Sequence, residues 1–186
     1  AQALAPLVPD EAIKGGLDAY EAVFAEHYAE LMRGKLGLSE LRPGDDALIR
    51  DLLELIRGSC ADFTNVFRSL CDFQQAPEAK NERLRGLFVD RDAFDTWAAR
   101  YKERLLAEGS NDEERAARMR QVNPKYVLRN YLAHEAVRMA TEQKDFSEIE
   151  RLRLLLRDPF AEQPHMDRYA ASPPDWGKHL IVSCSS

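Results

Sequence analysis

Residues 123–132 carry the most informative helical pattern of the chain: Asn123-Pro124-Lys125-Tyr126-Val127-Leu128-Arg129-Asn130-Tyr131-Leu132. Asn123 is a suitable N-cap, because its side chain can accept a hydrogen bond from a free amide of the first turn. Pro124 fits the first helical position, where its missing N–H would have no partner. The apolar residues that follow recur at helical spacing: Val127, Leu128, Tyr131 and Leu132. We therefore predict a buried helix that begins at Asn123-Pro124.

Downstream of this segment the helical pattern ends at Asp158-Pro159. A proline-broken stretch follows, Tyr169-Ala170-Ala171-Ser172-Pro173-Pro174-Asp175-Trp176, and then Val182-Ser183-Cys184-Ser185-Ser186. Proline at these positions is incompatible with a continuous helix. We predict a helical domain over 1–158 and an irregular, proline-rich tail over 159–186 that ends in Cys-Ser-Ser.

Upstream, the sequence predicts further helices and no sheet, because no run alternates with a two-residue period apart from the short Leu180-Ile181-Val182. The first four predicted helices run from the Asp10 cap to Gly34, from Asp45-Asp46 to Gly58, from Ser59 through Phe63, Val66, Phe67 and Leu70, and from Pro77 through Leu84, Leu87 and Phe88. The next run from Asp90 to Gly109 and from Ser110 or Asn111 to Val122, and a last one starts at a capping box of Asp145 and Glu148 and carries Ile149, Leu152, Leu155 and Leu156. The predicted fold class is all-α.

Composition limits the function classes. A chain of 186 residues with 45% apolar residues can bury a core, and no stretch approaches the length needed to span a membrane. The formal net charge of −6 argues against nucleic-acid binding. One local basic cluster stands out: Arg115, Arg118, Arg120, Lys125 and Arg129. We expect it to be a solvated or domain-facing stripe rather than a nucleic-acid site.

The three cysteines do not form the pattern of a disulfide scaffold or of a zinc site, so we expect a reducing, cytoplasmic compartment. Cys60 and Cys71 lie beside apolar residues and are interpreted as buried, inert thiols. Cys184, third from the end between serines, is predicted to be accessible and reactive.

Motifs of known chemistry are otherwise missing from the sequence. His134-Glu135 begins like a zinc-protease helix, but Arg138 occupies the position of the second histidine. His27, His165 and His179 have no mutual spacing that suits a shared metal. Without a GxSxG, HRD or DFG motif, neither hydrolase nor kinase catalysis is assigned to these residues, and no catalytic, cofactor-binding or metal-binding residue is predicted here.

Three motifs nevertheless carry a resemblance. The NP-x-YV-x-RNYLA segment at 123–133, the YA-x-x-PPxW segment at 169–176 and the terminal CSS are similar to the carboxyl end of the selenoprotein O family, called YdiU in bacteria. The DFT-x-x-FR-x-L segment at 62–70 strengthens the likeness. The resemblance implies a bacterial protein adenylyltransferase with a protein-kinase-like (pseudokinase) fold, which moves AMP from ATP to Ser, Thr or Tyr hydroxyls of proteins.

In such proteins the glycine-rich loop, the nucleotide-binding lysine and the metal-binding Asn and Asp precede the region seen here. The resemblance therefore implies that this chain is a carboxyl-terminal part that follows an N-terminal kinase-like domain, and that ATP and Mg²⁺ or Mn²⁺ bind to the full-length parent only. We expect a structural and regulatory fragment that is inactive alone, with the kinase-like domain and substrate proteins as its partners. The first residue, Ala1, also suggests a processed or excised chain.

The family places a selenocysteine or cysteine at the position of Cys184. The resemblance implies a redox role, in which this sulfur bonds a cysteine near the kinase-like active site. An alternative of another class stays open: a stand-alone all-α module that binds a partner through an exposed helix face, with no catalysis.

Overall fold

The structure is a computed structural model that describes residues 7–178 and 180, and this part of the chain contains helices and no strands. The all-α prediction is confirmed. The eight α-helices are α1 (Asp10–Leu36), α2 (Asp45–Gly58), α3 (Phe63–Leu70), α4 (Glu82–Arg85), α5 (Arg91–Ala107), α6 (Asp112–Val122), α7 (Asn130–Arg138) and α8 (Ser147–Leu155). A π-helical turn, Met139–Gln143, extends α7, and two 3₁₀ turns follow α8 at Asp167–Tyr169 and Asp175–Gly177.

Side-chain caps define several helix starts, as the sequence predicts. Asp90 accepts a hydrogen bond from the Ala93 amide at 2.9 Å and so begins α5. Asn111 accepts hydrogen bonds from two amides of α6, each at 3.0 Å. The restart after Gly58 occurs at Asp62 rather than at Ser59, because the Asp62 carboxylate accepts from the Asn65 amide at 2.9 Å.

The long first helix was predicted to end at Gly34 but continues to Leu36. It starts at Asp10 itself, so that Pro9 rather than Asp10 holds the N-cap position. Gly37 ends it in the left-handed conformation with φ 71°. A Cβ on this residue would lie 2.6 Å from Cγ of Arg115. Glycine is therefore required here both for the turn and for the close approach of α6.

The predicted helix start at Asn123-Pro124 is wrong. Residues 124–129 are non-helical and α7 begins at Asn130, while the Asn123 amide donates to the Met119 carbonyl at 2.8 Å at the end of α6. The amides of Lys125 and Tyr126 both donate to the Pro159 carbonyl, at 2.8 and 3.1 Å. The segment is held by this contact with the chain after α8, which a local pattern does not reveal.

The burial predicted for this segment is correct only for its second half. Tyr131 and Leu132 are 7% and 6% exposed, as expected. Leu128 is 55% exposed, because it precedes the helix and does not lie on the face that α7 buries. Val127 is half-buried.

Two further helix starts differ from prediction. Pro77 lies in a turn, and the short helix begins five residues later at Glu82. Asp145 does accept from the Ser147 amide at 2.9 Å, but Glu148 accepts from the Tyr169 hydroxyl at 2.8 Å instead of completing a capping box. Glu148 thus holds the segment after α8 rather than the start of α8.

The larger of two hydrophobic clusters is built from α1 to α6. Its buried members are Met32, Leu36, Leu38, Leu48, Ile49, Leu52, Ile56, Val66, Phe67, Leu70, Cys71, Phe73, Leu84, Phe88, Phe94, Trp97, Tyr101, Leu105 and Met119. Two polar atoms are satisfied inside it. The Trp97 indole donates to the Leu48 carbonyl at 2.9 Å, and the Tyr101 hydroxyl donates to the Leu36 carbonyl at 2.5 Å. These two hydrogen bonds from aromatic residues of α5 therefore fix the positions of α1 and α2.

The smaller cluster is built from α7, α8 and the segments beside them. Its buried members are Tyr126, Tyr131, Leu132, Ala136, Leu152, Leu155 and Tyr169. Each cluster is drawn from one continuous part of the sequence, the first from 32–119 and the second from 126–169. The division into a domain over 1–158 and a tail over 159–186 stays a prediction, although Tyr169 packs within the second cluster.

None of the helices in the described part of the chain is long and apolar enough to cross a bilayer.

Two neighbouring leucines of α8 test the second cluster. Leu155 is 2% exposed and Leu154 is 52% exposed. We expect Leu155→Ala to lower the free energy of unfolding by about 2–5 kcal/mol, because it removes buried methyl groups and leaves a cavity, and Leu154→Ala by less than about 0.5 kcal/mol. Urea denaturation measures both. Equal losses at the two positions would contradict the described packing of α8.

Candidate functional site: the charged junction between the two clusters

The two hydrophobic clusters meet at an ion pair between Arg129 and Asp62. The Arg129 guanidinium donates to both Asp62 oxygens, with Nη2 to oxygen distances of 2.9 and 3.0 Å. Its Nη1 donates to the Tyr169 carbonyl at 3.2 Å, and the residue is 8% exposed. Asp62 is the cap of α3, and Arg129 directly precedes α7. One largely buried, bidentate ion pair therefore joins α3, α7 and the segment after α8.

Arg68 of α3 makes a second connection. Its Nη1 donates to the Asn123 carbonyl at 2.9 Å, and its Nη2 donates to the Phe160 carbonyl at 3.0 Å and to the Glu162 carboxylate at 2.7 Å. These acceptors include carbonyls at the end of α6 that the helix leaves unpaired. Arg68 therefore ties α6 and the segment after α8 to α3.

Buried Asn123 connects the same region to α1. Its side-chain amide donates to the Lys35 carbonyl at 2.8 Å, and its Oδ1 accepts from the Lys35 ammonium at 3.2 Å. Burial lowers the pKa of Lys35. Asn123 is fully buried because it joins the ends of α1 and α6, which explains why it does not cap a following helix.

A third set of charges lies at the edge of the junction. The Lys125 ammonium is 2.5 Å from the Glu162 carboxylate and 2.7 Å from that of Asp167. Hydrogen bonds from Lys125 and Arg68 lower the pKa of Glu162 to about 2. Burial alone would lower the pKa of Lys125, but its hydrogen bonds to Asp167 and Glu162 outweigh that effect and raise it. Lys125 and Glu162 therefore stay charged near neutral pH.

These side chains line an open cleft of about 710 Å³. Its four basic residues, Arg68, Arg83, Arg120 and Lys125, face three acidic ones, Asp72, Glu162 and Asp167. Arg120 lies 2.5 Å and Arg83 3.7 Å from Asp72, so each of the four cations has a carboxylate partner within 4 Å. The cleft thus has the charge arrangement of a structural junction rather than that of an anion-binding pocket.

The basic cluster predicted to be a solvated or domain-facing stripe is partly inside the molecule, so that prediction is wrong for two of its members. Arg115 is fully buried, donates to Asp112 at 2.7 Å and also donates to the Phe73 carbonyl. Arg129 is buried in the pair already described. The sequence shows where arginines are clustered, but it does not show which of them are exposed and which are buried against carboxylates and carbonyls.

Cys60 and Cys71, both expected to be buried, differ in their burial. Cys71 is buried, and burial raises the pKa of its thiol, in agreement with an inert side chain. Cys60 is exposed, so its interpretation as a buried thiol is wrong. It occupies a left-handed turn position with φ 47° after α2 has ended, and its neighbours in sequence do not predict that orientation. Cys184 lies outside the described residues.

The chain that leads towards Cys184 is held against α7. A Cβ on Gly177 would lie 2.8 Å from Cβ of Tyr131, so the backbone passes in direct contact with that ring. Trp176 packs edge-on against Tyr131 with ring centres 6.1 Å apart. The Asn130 side chain donates to the Leu180 carbonyl at 3.0 Å. The described part of the chain is therefore anchored on α7 as far as Leu180.

The histidines and acidic residues do not assemble into a metal site within residues 7–178 and 180. No group of three or more His, Cys, Asp or Glu side chains there could hold a metal ion. His134 packs near Trp176 with ring centres 6.3 Å apart, and His27 lies 3.7 Å from Glu30 on α1. His179 lies outside the described residues.

Asp62 and Arg68 pair with charged residues from distant parts of the chain. Their partners are 67 and 94 residues away along the chain, at Arg129 and Glu162. One local signal was available, since an Asp directly before the apolar run of α3 is a typical N-cap. The charged partners have no comparable signal.

Comparison with known proteins gives a consistent family. The family model described as "Protein adenylyltransferase SelO" matches residues 1–157. The chain is 50% identical over 188 residues to a "Protein nucleotidyltransferase YdiU" of Thiobacillus denitrificans, and 46% identical over 186 residues to one of Pseudomonas aeruginosa. A relative with the same name from Herminiimonas arsenicoxydans is 49% identical. All of this chain is covered in each case, but only 37–38% of the relative.

One isosteric substitution tests how much the ion pair of the junction contributes to stability. Asp62→Asn keeps a side chain that can cap α3 but removes the charge that faces buried Arg129. We expect a loss of about 3 kcal/mol in the free energy of unfolding, because a desolvated guanidinium loses its counter-charge. The matched control is Glu150→Gln, in an exposed pair with Arg153, for which a much smaller loss is expected because water screens the pair. Urea denaturation compares the two, and similar losses would show that Arg129 does not depend on Asp62.

Proposed function

The chain belongs to the family of SelO protein adenylyltransferases, and from this membership we propose that it is the carboxyl-terminal helical region of an enzyme that transfers AMP from ATP to Ser, Thr or Tyr hydroxyls of other proteins. The observation that carries the proposal is the family match over residues 1–157, together with 50% identity to a protein nucleotidyltransferase. The chain spans about 38% of the length of that relative, so the activity is proposed for the longer protein.

We assign nucleotide and metal binding to the part of the protein outside this chain, which we propose to have the kinase-like fold. Mg²⁺ and Mn²⁺ prefer several oxygen ligands, including carboxylates. The described residues contain no such cluster and do not fit this requirement. We therefore derive no metal-dependent step from them.

For the chain itself we propose a structural and regulatory role. Its two clusters are joined by the Arg129–Asp62 pair, which is largely shielded from water, and such a joint supports a rigid body against which a catalytic domain can pack. The partners that follow are the kinase-like domain of the same polypeptide and the substrate proteins. The net charge of −6 does not favour nucleic acid, and we place the protein in the bacterial cytoplasm.

The proposed activity is tested by comparing the product of the whole gene with the 186-residue chain. With ATP and Mg²⁺, the whole protein should add AMP to protein hydroxyls, detected by intact mass and peptide mapping. The chain alone should transfer none and should give no micromolar heat signal on titration with ATP, because we assign the phosphate and metal ligands to the rest of the protein and residues 7–178 and 180 hold no metal-binding group. Absence of transfer by the whole protein would reject the activity. Stoichiometric micromolar binding of ATP by the chain would reject the division of roles.

We further propose that Cys184 is redox-active and forms a disulfide with a cysteine of the kinase-like domain. In this step each thiol loses a proton, and the two electrons pass to an external disulfide, which is reduced to two thiols. Two features support the role. Cys71 is unsuitable because it is buried with a raised thiol pKa, and the chain is anchored on α7 up to Leu180, four residues before Cys184. Exposed Cys60 is the competing partner within this chain.

Peptide mapping of the whole protein after oxidation with glutathione disulfide tests this role. We expect Cys184 in a reducible bond to the kinase-like domain, and we expect Cys184→Ser to abolish the redox dependence of AMP transfer. Cys60→Ser is the matched control and should leave that dependence unchanged. A free Cys184 after oxidation, or a bond between Cys184 and Cys60, would contradict the proposed pairing.

A further inference from the structure

The first two thirds of α1 expose an apolar face to solvent. Its large side chains between residues 17 and 31 are 42–69% exposed: Leu17, Tyr20, Val23, Phe24, Tyr28 and Leu31. Three of these are aromatic and form a ladder, with ring centres of Tyr20 and Phe24 5.8 Å apart and those of Phe24 and Tyr28 5.9 Å apart. In α1 only Met32 and Leu36 are buried in the larger cluster. The aromatic ladder has therefore no cover in the part of the chain that the structure describes.

This face is distinct from the one that attaches α1 to the core. At about 100° per residue, five of the six exposed apolar residues lie within an arc of about 80° that is centred about 100° around the helix from Met32 and Leu36, and Val23 lies outside it. Small residues on one side, Ala12, Gly16 and Ala19, together with Val23, widen the arc to about 180°. A Cβ on Gly16 would meet nothing within 4 Å. The polar exceptions are His27 and Glu30, which are 3.7 Å apart. By the same count His27 lies near the middle of the widened arc and Glu30 near one edge.

The width and length of the face indicate what covers it. A two-stranded coiled coil buries a narrow stripe, whereas a helix that is apolar over half its circumference packs into a folded body. Residues 12–31, which carry the face, rise by about 30 Å along the helix axis. Monomeric soluble proteins rarely leave an apolar surface of this extent in water. A matching surface is therefore an apolar groove about six helical turns long.

We propose that this face of α1, residues 12–31, is the surface on which the rest of the same polypeptide packs. The family match begins at residue 1, so α1 lies inside the region that the family shares, and about three fifths of the length of each relative lies outside the match. A covalently linked domain also reaches the face at a far higher effective concentration than a separate protein. The inference rests on the proposed function in one respect only, that the gene encodes the longer protein.

Cysteine labelling in the product of the whole gene tests the docking face. Phe24→Cys lies at the centre of the face, and Ala22→Cys lies on the opposite side of α1 and serves as the matched control. Rates of maleimide modification are measured by peptide mapping, which separates these positions from Cys60 and Cys184. In the native protein we expect the thiol at position 24 to react at least about 10-fold more slowly than in urea, and the thiol at position 22 within about 3-fold of its rate in urea, since access controls the rate.

Hydroxyl-radical footprinting of the unmodified protein guards against a folding defect in Phe24→Cys. Tyr20, Phe24 and Tyr28 should be protected, and exposed Leu41 and Val89 should be oxidised. Equal labelling at positions 22 and 24, or oxidation of the aromatic ladder, would overturn the inference. So would protection that disappears on dilution, since that result assigns the face to a second copy of the chain. None of these measurements reads AMP transfer, so a protein that protects α1 but transfers no AMP would retain this inference and reject the proposed activity.

Discussion

The Arg129 guanidinium lies almost out of contact with water, and Asp62 is its counter-charge. Such a group is costly to bury unless each of its donors has an acceptor. Here Asp62 and the Tyr169 carbonyl supply those acceptors, and both belong to segments distant in sequence. Asp62 also caps α3, so its position is fixed both by the cap and by the ion pair. This contact joins α3, α7 and the segment after α8, and the hydrogen bonds of Arg68 support the same arrangement.

Local sequence signals were sufficient where a helix is defined by its own residues. The caps at Asp90 and Asn111, the glycine that ends α2 and the apolar face of α5 all follow from neighbours within a few positions. They failed at Asn123-Pro124, where the residue types suit a helix start equally well. There the amides of Lys125 and Tyr126 bond the carbonyl of Pro159, and that distant acceptor holds the segment out of a helix.

The junction was much less predictable than the helices. An Asp before α3 signals a cap, yet nothing near it in sequence identifies Arg129 as its partner. The same limitation explains the errors at Arg115 and Cys60, since charge density and apolar neighbours do not report which side chain faces the interior. The motif resemblance gave the family correctly, as the family match over residues 1–157 shows.

The two hydrophobic clusters follow one another along the sequence without interleaving, the first within 32–119 and the second within 126–169. During synthesis, therefore, every side chain of the first core leaves the ribosome before the second core begins to emerge. Domains fold as units in this order. The first cluster can close early, while Arg68 and Asp62 on its surface await partners that arrive last. The junction is then completed only after the first core has closed, and a nascent chain that has left the ribosome only as far as about residue 120 would hold a finished core with an unpaired Asp62.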